Sequence, residues 1–466
     1  MYVETTTAPA LSTDADTVVI GVFDGEPLHV DEARGQLEAL LDSGEAKARF
    51  KHLALTHVEG RRVLLVGLGA RDELDAERAR VAAGLAQRRA RDLEARTLCW
   101  ALPSGAGDEI AEALVHGTLL GAYRFDRYRS RGDRDEETSS RALQRLLLSA
   151  PADIEGSVAR AVIVATAQNR ARDLGNRPPN DLTPAALGAY AAELAVARGA
   201  LGVSVLGGDE LRDLGMGLFA AVASGSAEDP RLITLRYAGA PGSDRRLALI
   251  GKAVTFDSGG LAIKSMAGMI DMKFDMAGGA AVIETMAALA DLEAPINVLG
   301  VVGATENMIS GAAMRSGDIL TALDGTTVEM NNADAEGRLV LGDCITWARR
   351  EGCDAIVDIA TLTGGVVVAL GGVYAGLMAS DDGLAELIGA CGERTGELVW
   401  RLPLHPQYAD MVKGRYAQIT NRTERREASA ITAAEFLHHF AGEVPWAHLD
   451  IAGVGDNGRT PYLDKG

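Results

Sequence analysis

The sequence predicts an α/β protein of two domains, a smaller N-terminal one and a larger C-terminal one built on a central mixed sheet flanked by helices. Three observations carry this. At 466 residues the chain exceeds what one hydrophobic core usually serves. Short β-branched runs such as Thr17–Phe23 and Arg62–Gly69 alternate with Ala-, Glu- and Arg-rich stretches such as Glu73–Glu94, the pattern of strands covered by helices with a charged outer face. A helical pattern from Glu155 to Leu174 then runs into Asn176-Arg177-Pro178-Pro179-Asn180-Asp181-Leu182-Thr183-Pro184, where three prolines forbid regular structure.

Composition narrows the field. With 47% hydrophobic and 24% charged residues the chain can bury a large core and is not a disordered tail. A formal charge of −19 opposes general affinity for nucleic acid or an anionic membrane, so neither is expected as a partner. The opening Met-Tyr-Val-Glu-Thr-Thr-Thr-Ala-Pro has no basic n-region and no apolar h-region, and nowhere do about eighteen uncharged apolar residues run together. Neither secretion nor membrane spanning is supported. Cys99, Cys344, Cys353 and Cys391 lack metal-type spacing and read as reduced, mostly buried thiols of a cytoplasmic protein. Without CxxC or HExxH, oxygen ligands must supply most of the coordination of any bound metal.

Along the chain, Leu143–Ser149 reads as the closing strand of the first domain and Pro151-Ala152-Asp153 punctuates its end. This gives an N-terminal α/β domain over residues 1–151, a helical linker over 152–176 and a C-terminal domain over 177–466. Gly67-Leu68-Gly69 lacks the third glycine of a dinucleotide fingerprint. Arg124-Phe125-Asp126-Arg127-Tyr128-Arg129 is interleaved with an acid and reads as a solvated or subunit-contacting helix end rather than an RNA contact. In the second domain, strands are expected at Leu232–Tyr237, Leu247–Ile250, Ile296–Val302 and Ala355–Ile359, with a helix over Gly278–Leu292.

Two regions of the second domain carry chemistry. In Asn331-Asn332-Ala333-Asp334-Ala335-Glu336-Gly337-Arg338, both carboxylates can turn toward one point, which hard or borderline cations favour. An apolar stretch suited to a buried helix follows, so this acidic loop lies between a strand and a helix, where α/β sheets place ligands. About eighty residues upstream stand Gly251-Lys252-Ala253-Val254-Thr255-Phe256-Asp257-Ser258-Gly259-Gly260-Leu261-Ala262-Ile263-Lys264 and then Asp271-Met272-Lys273-Phe274-Asp275-Met276, with Lys252 read at a strand end.

These segments, with the separations among Lys252, Asp257, Lys264, Asp275, Asp334, Glu336 and Arg338, resemble the leucyl (cytosol) aminopeptidase family of two-metal peptidases. The likeness runs from about Asn169 to the C-terminus and includes Trp400–Leu404, Ala430–Leu437 and Trp446–Gly453. It makes residues 177–466 the catalytic domain. It implies that Lys252, Asp257, Asp275 and Glu336 bind one divalent metal and Asp257, Asp334 and Glu336 the other, with Mn2+, Zn2+ or Mg2+ as the ion. Four carboxylates nearly balance two dications, and bridging by Asp257 and Glu336 would hold them roughly 3.5–4 Å apart. A coordinating lysine must be neutral, so the metal has to lower a pKa that is ordinarily about 10.4. The resemblance assigns Lys264 to polarising the scissile carbonyl and stabilising the oxyanion. Arg338 corresponds to the holder of a bicarbonate ion, a planar anion that suits its fork. Met272, Thr361, Leu362 and Gly364 correspond to the wall of an apolar specificity pocket. Such a pocket separates side chains by about 1–3 kcal/mol per methylene, so a broad preference led by leucine-like residues is expected. The implied substrates are peptides with a free N-terminus, and the implied assembly is a homohexamer.

The chain departs from the family's pattern in three places. Ala333 stands where the acidic loop more often has threonine, Ser265 where proline usually follows the lysine, and relatives continue past Asp464-Lys465-Gly466 with a segment containing Ala-Thr-Gly. None of these touches an expected ligand. Two other classes use similar elements. Carboxylate-bridged dications also serve two-metal phosphoesterases, and some relatives are non-catalytic DNA-binding or regulatory proteins, which the charge of −19 disfavours. A serine triad of Ser258, His448 and Asp450 is displaced by the metal carboxylates around Ser258.

Overall fold

The computed structural model describes residues 1–30, 33–129, 142–425, 427–456 and 458–463. It forms two compact units, Met1–Asn169 with Arg394–Gly396 and Arg459–Asp464, and Arg170–Glu393 with Glu397–Gly458. The division falls inside a single helix, Glu155–Asn176. Among the described residues no helix is long and apolar enough to cross a membrane, and no disulfide joins the four cysteines.

The first unit holds a six-stranded sheet in the order β1-β6-β5-β2-β4-β3. The strands are β1 (Tyr2–Thr6), β2 (Thr17–Phe23), β3 (Leu53–Val58), β4 (Arg61–Gly69), β5 (Thr97–Ala101) and β6 (Arg145–Ser149). All pairings are parallel except that of β3 with β4. Val18, Val19, Ile20 and Val22 are all buried because helices cover both faces of the sheet, which is why β2 reads as a continuous apolar run. Helix Ala76–Asp92 begins at Asp75, whose carboxylate accepts the Arg78 amide at 2.7 Å. β6 is the last strand of this unit along the chain, and in the sheet it lies between β5 and an edge strand, β1, whose Tyr-Val-Glu-Thr-Thr is too polar to announce itself. Arg124–Arg129 lies beyond helix Asp108–Gly121 and outside any helix. Gly67 serves packing, since a Cβ there would stand 2.2 Å from the Arg49 carbonyl.

The second unit is built on an eight-stranded mixed sheet in the order β15-β14-β17-β13-β9-β10-β8-β7. Its strands are β7 (Leu201–Leu206), β8 (Arg231–Ala238), β9 (Leu247–Asp257), β10 (Asn297–Asn307), β13 (Ala355–Ala360), β14 (Ala375–Ala379), β15 (Val399–Arg401) and β17 (Trp446–Asp450). The central β9 runs parallel to both β10 and β13. One apolar cluster lies against helices Glu336–Arg350 and Ser429–Ala441, a second against Pro184–Val196 and Ala277–Asp291. A separate three-stranded sheet, β11-β12-β16, joins β11 (Asp318–Thr321), β12 (Thr327–Met330) and β16 (Ile419–Thr420).

Two expectations change here. β9 continues well past Ile250, so Lys252 lies within the strand and Asp257 at its end. A lysine in a strand interior ends an apolar pattern on paper, but burial is tolerated when carboxylates meet it. Of the three prolines near residue 180, Pro184 opens helix Pro184–Val196 behind its Thr183 cap, where the missing N–H costs nothing.

Candidate metal centre

Lys252 and Asp257 are five residues apart on β9, a spacing that places side chains on opposite faces of a regular strand. The pairing with β10 skips a residue, Val254 facing Thr305 and Phe256 facing Glu306, so Thr255 is the extra residue of a bulge. That insertion turns Asp257 toward the side served by Lys252. The turn Gly259-Gly260, with φ of +85° and +59°, then folds the chain back so that Lys264 returns to Asp257.

The seven residues singled out by the sequence meet in this unit. Lys252 Nζ lies 2.8 Å from Asp275 Oδ1 and 2.9 Å from Glu336 Oε1, and it donates to the Thr361 carbonyl at 3.0 Å. Lys264 Nζ lies 2.7 Å from Asp257 Oδ2 and 2.5 Å from Asp334 Oδ1. Asp257, Asp334 and Glu336 each offer an oxygen such that all three atoms lie within 4.8 Å of one another. Asp275 ends a short 3-10 turn, Ile270–Phe274, and precedes helix Ala277–Asp291. Asp334 and Glu336 come from the loop leaving β12, so this part of the cluster issues from the small sheet and not from the large one. Glu336 is the first residue of its helix, where the dipole favours a negative charge. Gly337 makes room for Lys252, since a Cβ there would stand 2.7 Å from Nζ.

The cluster is short of positive charge. Lys252, Asp257, Asp275 and Glu336 are all at most 6% exposed. Burial raises the Asp275 carboxyl above the usual carboxylate range, with Glu336 and Asp257 adding to it against the pull of Lys252. Asp257 is raised by burial and then by Glu336. Burial also opposes the Glu336 anion, but Lys252 and Lys264 outweigh it and hold that carboxyl low. Both ammonium groups are held above their ordinary pKa, burial being overcome by the carboxylates around them. Four carboxylates thus share two ammonium groups, and Asp275 Oδ2 is buried with no hydrogen-bond partner among the described residues. An oxygen-rich donor set with a spare buried oxygen and an excess of negative charge fits divalent cations. An arriving cation would take over the role of the Lys252 proton.

Other expected residues fall around this centre. Arg338 Nη1 donates to the Asn421 carbonyl at 2.9 Å, and its Nε has no partner among the described residues. Thr361 touches the centre directly: besides its carbonyl on Lys252, its hydroxyl donates to Asp275 Oδ1 at 2.7 Å. Leu362 packs partly buried on the core, Gly364 is exposed at the start of helix Gly364–Leu370, and the Met272 carbonyl accepts the Asp275 amide at 3.3 Å. Ala333 is 1% exposed against the core, an apolar place for an apolar residue. No triad forms, because His448 Nδ1 faces Asp358 at 2.5 Å while the Ser258 hydroxyl donates to the Asn307 carbonyl.

Sequence reading missed Asn307 and considered Asp450 only as a triad member, which is not its role here. Asn307 Nδ2 donates to Asp257 Oδ1 at 2.7 Å and to the Ala333 carbonyl at 3.0 Å, tying two ligand-bearing segments together. Asp450 accepts the Leu362 amide at 3.1 Å and the Thr363 hydroxyl at 2.6 Å, fixing the loop that carries Thr361. The place of Asn307 at the end of β10, beside Asp257, was the available signal.

Carboxylates from two sheets, bridged by lysines around one buried point, form a donor set with the chemistry of a metal-dependent hydrolase. The catalytic-domain model of the cytosol aminopeptidase family matches residues 169–466 and its N-terminal-domain model residues 19–132. The chain belongs to the cytosol aminopeptidase family, a family of metal-dependent aminopeptidases acting on peptides. It is 43% identical to a probable cytosol aminopeptidase of Roseiflexus castenholzii over all of this chain and 96% of the relative. It is also 43% identical to one of Solibacter usitatus, over 97% and 94%. Among solved structures, the bottromycin maturation enzyme BotP in complex with Mn is 37% identical, with a TM-score of 0.87 over 97% of this chain and 96% of that one. A mutant of tomato leucine aminopeptidase is 31% identical, with a TM-score of 0.87 over 97% and 92%. The phosphoesterase and DNA-binding alternatives receive no support from these relatives.

Proposed function

We propose that this aminopeptidase removes leucine and similar apolar residues from peptide N-termini, using two divalent ions. Lys252, Asp257, Asp275 and Glu336 would hold one, and Asp257, Asp334 and Glu336 the other. The observation that carries this is the convergence of Asp257, Asp334 and Glu336 oxygens within 4.8 Å. When bound, the paired ions supply Lewis acidity and a water activated near neutral pH.

The chain's own residues do the rest. Lys252 would hold a metal through its neutral amine, its proton released to solvent as the ion binds, and its bond to the Thr361 carbonyl fixes the direction of Nζ. Lys264, 20% exposed on its side chain, is free to leave Asp334 and donate to the oxygen that becomes negative as the peptide carbonyl is attacked. Arg338 presents a planar donor fork to a bicarbonate ion. Met272, Thr361, Leu362 and Gly364 form the pocket for the first side chain. Manganese is favoured by the likeness to BotP, whose structure contains Mn; zinc and magnesium suit the same donors less distinctively.

Exposed apolar side chains, Met266 at 90%, Ile270 at 76% and Val368 at 90%, support burial between copies in the homohexamer that the family likeness implies. The likeness to cytosol aminopeptidases supports a cytoplasmic location. The catalytic work falls to residues 177–466, with 1–151 as a separate domain and 152–176 as the linking helix. The deciding experiment is turnover of leucine p-nitroanilide after chelation and after adding back Mn2+, Zn2+ or Mg2+, with Asp334→Ala as control. Activity restored by metal in the wild type alone is expected; activity that survives both chelation and the substitution overturns the reading.

A further inference from the structure

The acidic loop has no regular structure of its own, yet Asp334 and Glu336 must be held within a fraction of an ångström to share an ion. What holds it arrives from far along the chain. β16 is only two residues long and pairs parallel with β12, Glu329 facing Thr420. It therefore sets Asn421 beside Asn331 just as the acidic loop begins. Asn421 is fully buried. Its Oδ1 accepts the amides of Asn331 at 2.8 Å and Asn332 at 3.2 Å. Its Nδ2 donates to the carbonyls of Asn332 at 2.8 Å and Ala335 at 3.4 Å. Its own carbonyl accepts Arg338 Nη1 at 2.9 Å. A carboxamide has two acceptor sites and two donors, and here all four go to the backbone that carries Asp334 and Glu336.

The geometry points to Asn421 as a positioning residue of the metal centre, one that fixes the separation of Asp334 and Glu336 through the backbone of Asn331, Asn332 and Ala335 around them and touches neither substrate nor ion. The inference rests on the two-metal reading above. Outer partners that hold ligand-bearing groups in place typically change metal affinity by about 10- to 100-fold when removed. Structural support alone would produce a different pattern, and the same unit contains a matched control. Asn297 Nδ2 donates to the carbonyls of Ala240, Ser243 and Arg245, and its Oδ1 accepts the Ala240 amide, all remote from the centre.

The test is calorimetric titration of the metal-stripped full chain with Mn2+, alongside thermal unfolding, for wild type, Asn421→Ala, Asn421→Asp and Asn297→Ala. Asn297→Ala is expected to lower the melting temperature and leave Mn2+ affinity within about threefold of wild type. Asn421→Ala is expected to weaken Mn2+ binding by about 10- to 100-fold. Asn421→Asp keeps the shape but loses both donors, and it adds a negative charge that by itself tightens cation binding. Weaker binding in this variant is therefore geometric, and it decides the matter should Asn421→Ala fail to fold. Folded Asn421 variants that bind Mn2+ within threefold of wild type, or an Asn297→Ala variant that weakens it equally, overturn the inference. A wild type that binds no Mn2+ would instead overturn the two-metal reading itself.

Discussion

Gly337→Ala sets helix chemistry against the geometry of the metal centre. Alanine for glycine gains about 1 kcal/mol in a helix interior, an upper bound for Gly337 in the first turn. Here the new Cβ would stand 2.7 Å from Lys252 Nζ and Cε, where ordinary contact begins at 3.4 Å, so the end of the lysine must retreat by about 0.7 Å. That side chain is 3% exposed and pinned by Asp275 at 2.8 Å, Glu336 at 2.9 Å and the Thr361 carbonyl at 3.0 Å. A retreat of this size stretches those contacts past the 2.7–3.2 Å range of good hydrogen bonds, and each charge-assisted bond contributes about 1.5–3 kcal/mol. The loss exceeds the propensity gain, so the melting temperature should fall. Misplacement approaching 1 Å costs up to about 100-fold in rate, so kcat/KM for leucine p-nitroanilide at saturating Mn2+ should drop by about 10- to 100-fold. A raised melting temperature with kcat/KM within threefold of wild type would refute the reasoning.

Lys264→Met should lower kcat by about 10²- to 10³-fold, as the loss of an oxyanion donor does elsewhere; calorimetry should show undiminished Mn2+ binding, because an ammonium competing with the ions has gone. Asp358→Ala should cost about 3–5 kcal/mol in a denaturant titration, since it strands His448, whose charged form Asp358 favours against the opposing effect of burial, and frees the Trp446 indole N–H. His116 is half-buried, its Nε2 is unpartnered among the described residues, and desolvation followed by the charge of Arg80 lowers its pKa to about 4. The unfolded chain therefore binds this proton more readily, and stability present above about pH 6.5 is lost as pH falls toward 4. Between about pH 7.5 and 5 the imidazole accounts for about 2 kcal/mol, a slope that His116→Gln should remove from urea midpoints.

Much of the architecture was legible because burial on both faces leaves continuous apolar runs. Thr17–Phe23 is a strand end to end, and the helix expected over Gly278–Leu292 spans Ala277–Asp291. β1 and β16 were not legible, one being a half-polar edge and the other two residues long and held in place by its partner β12. The same limit applied to the centre. Charged residues in an unusual order announce themselves, as Asp334 and Glu336 do around Ala335. Asn307, Asn421 and Asp450 are ordinary polar residues whose importance lies in which backbone groups they meet, and pairing across about fifty to ninety positions leaves no local mark.

The bulge at Thr255 gives β9 an arithmetic that composition alone would never reveal. With that one residue removed, Lys252 and Asp257 would stand four apart in a regular strand, still on one face and still opposite Gly303 and Asn307. A chain edited in this way should still fold and keep both side chains on one side, so the extra residue is a spacer the strand can lose, and silencing the protein calls for replacing the acids themselves.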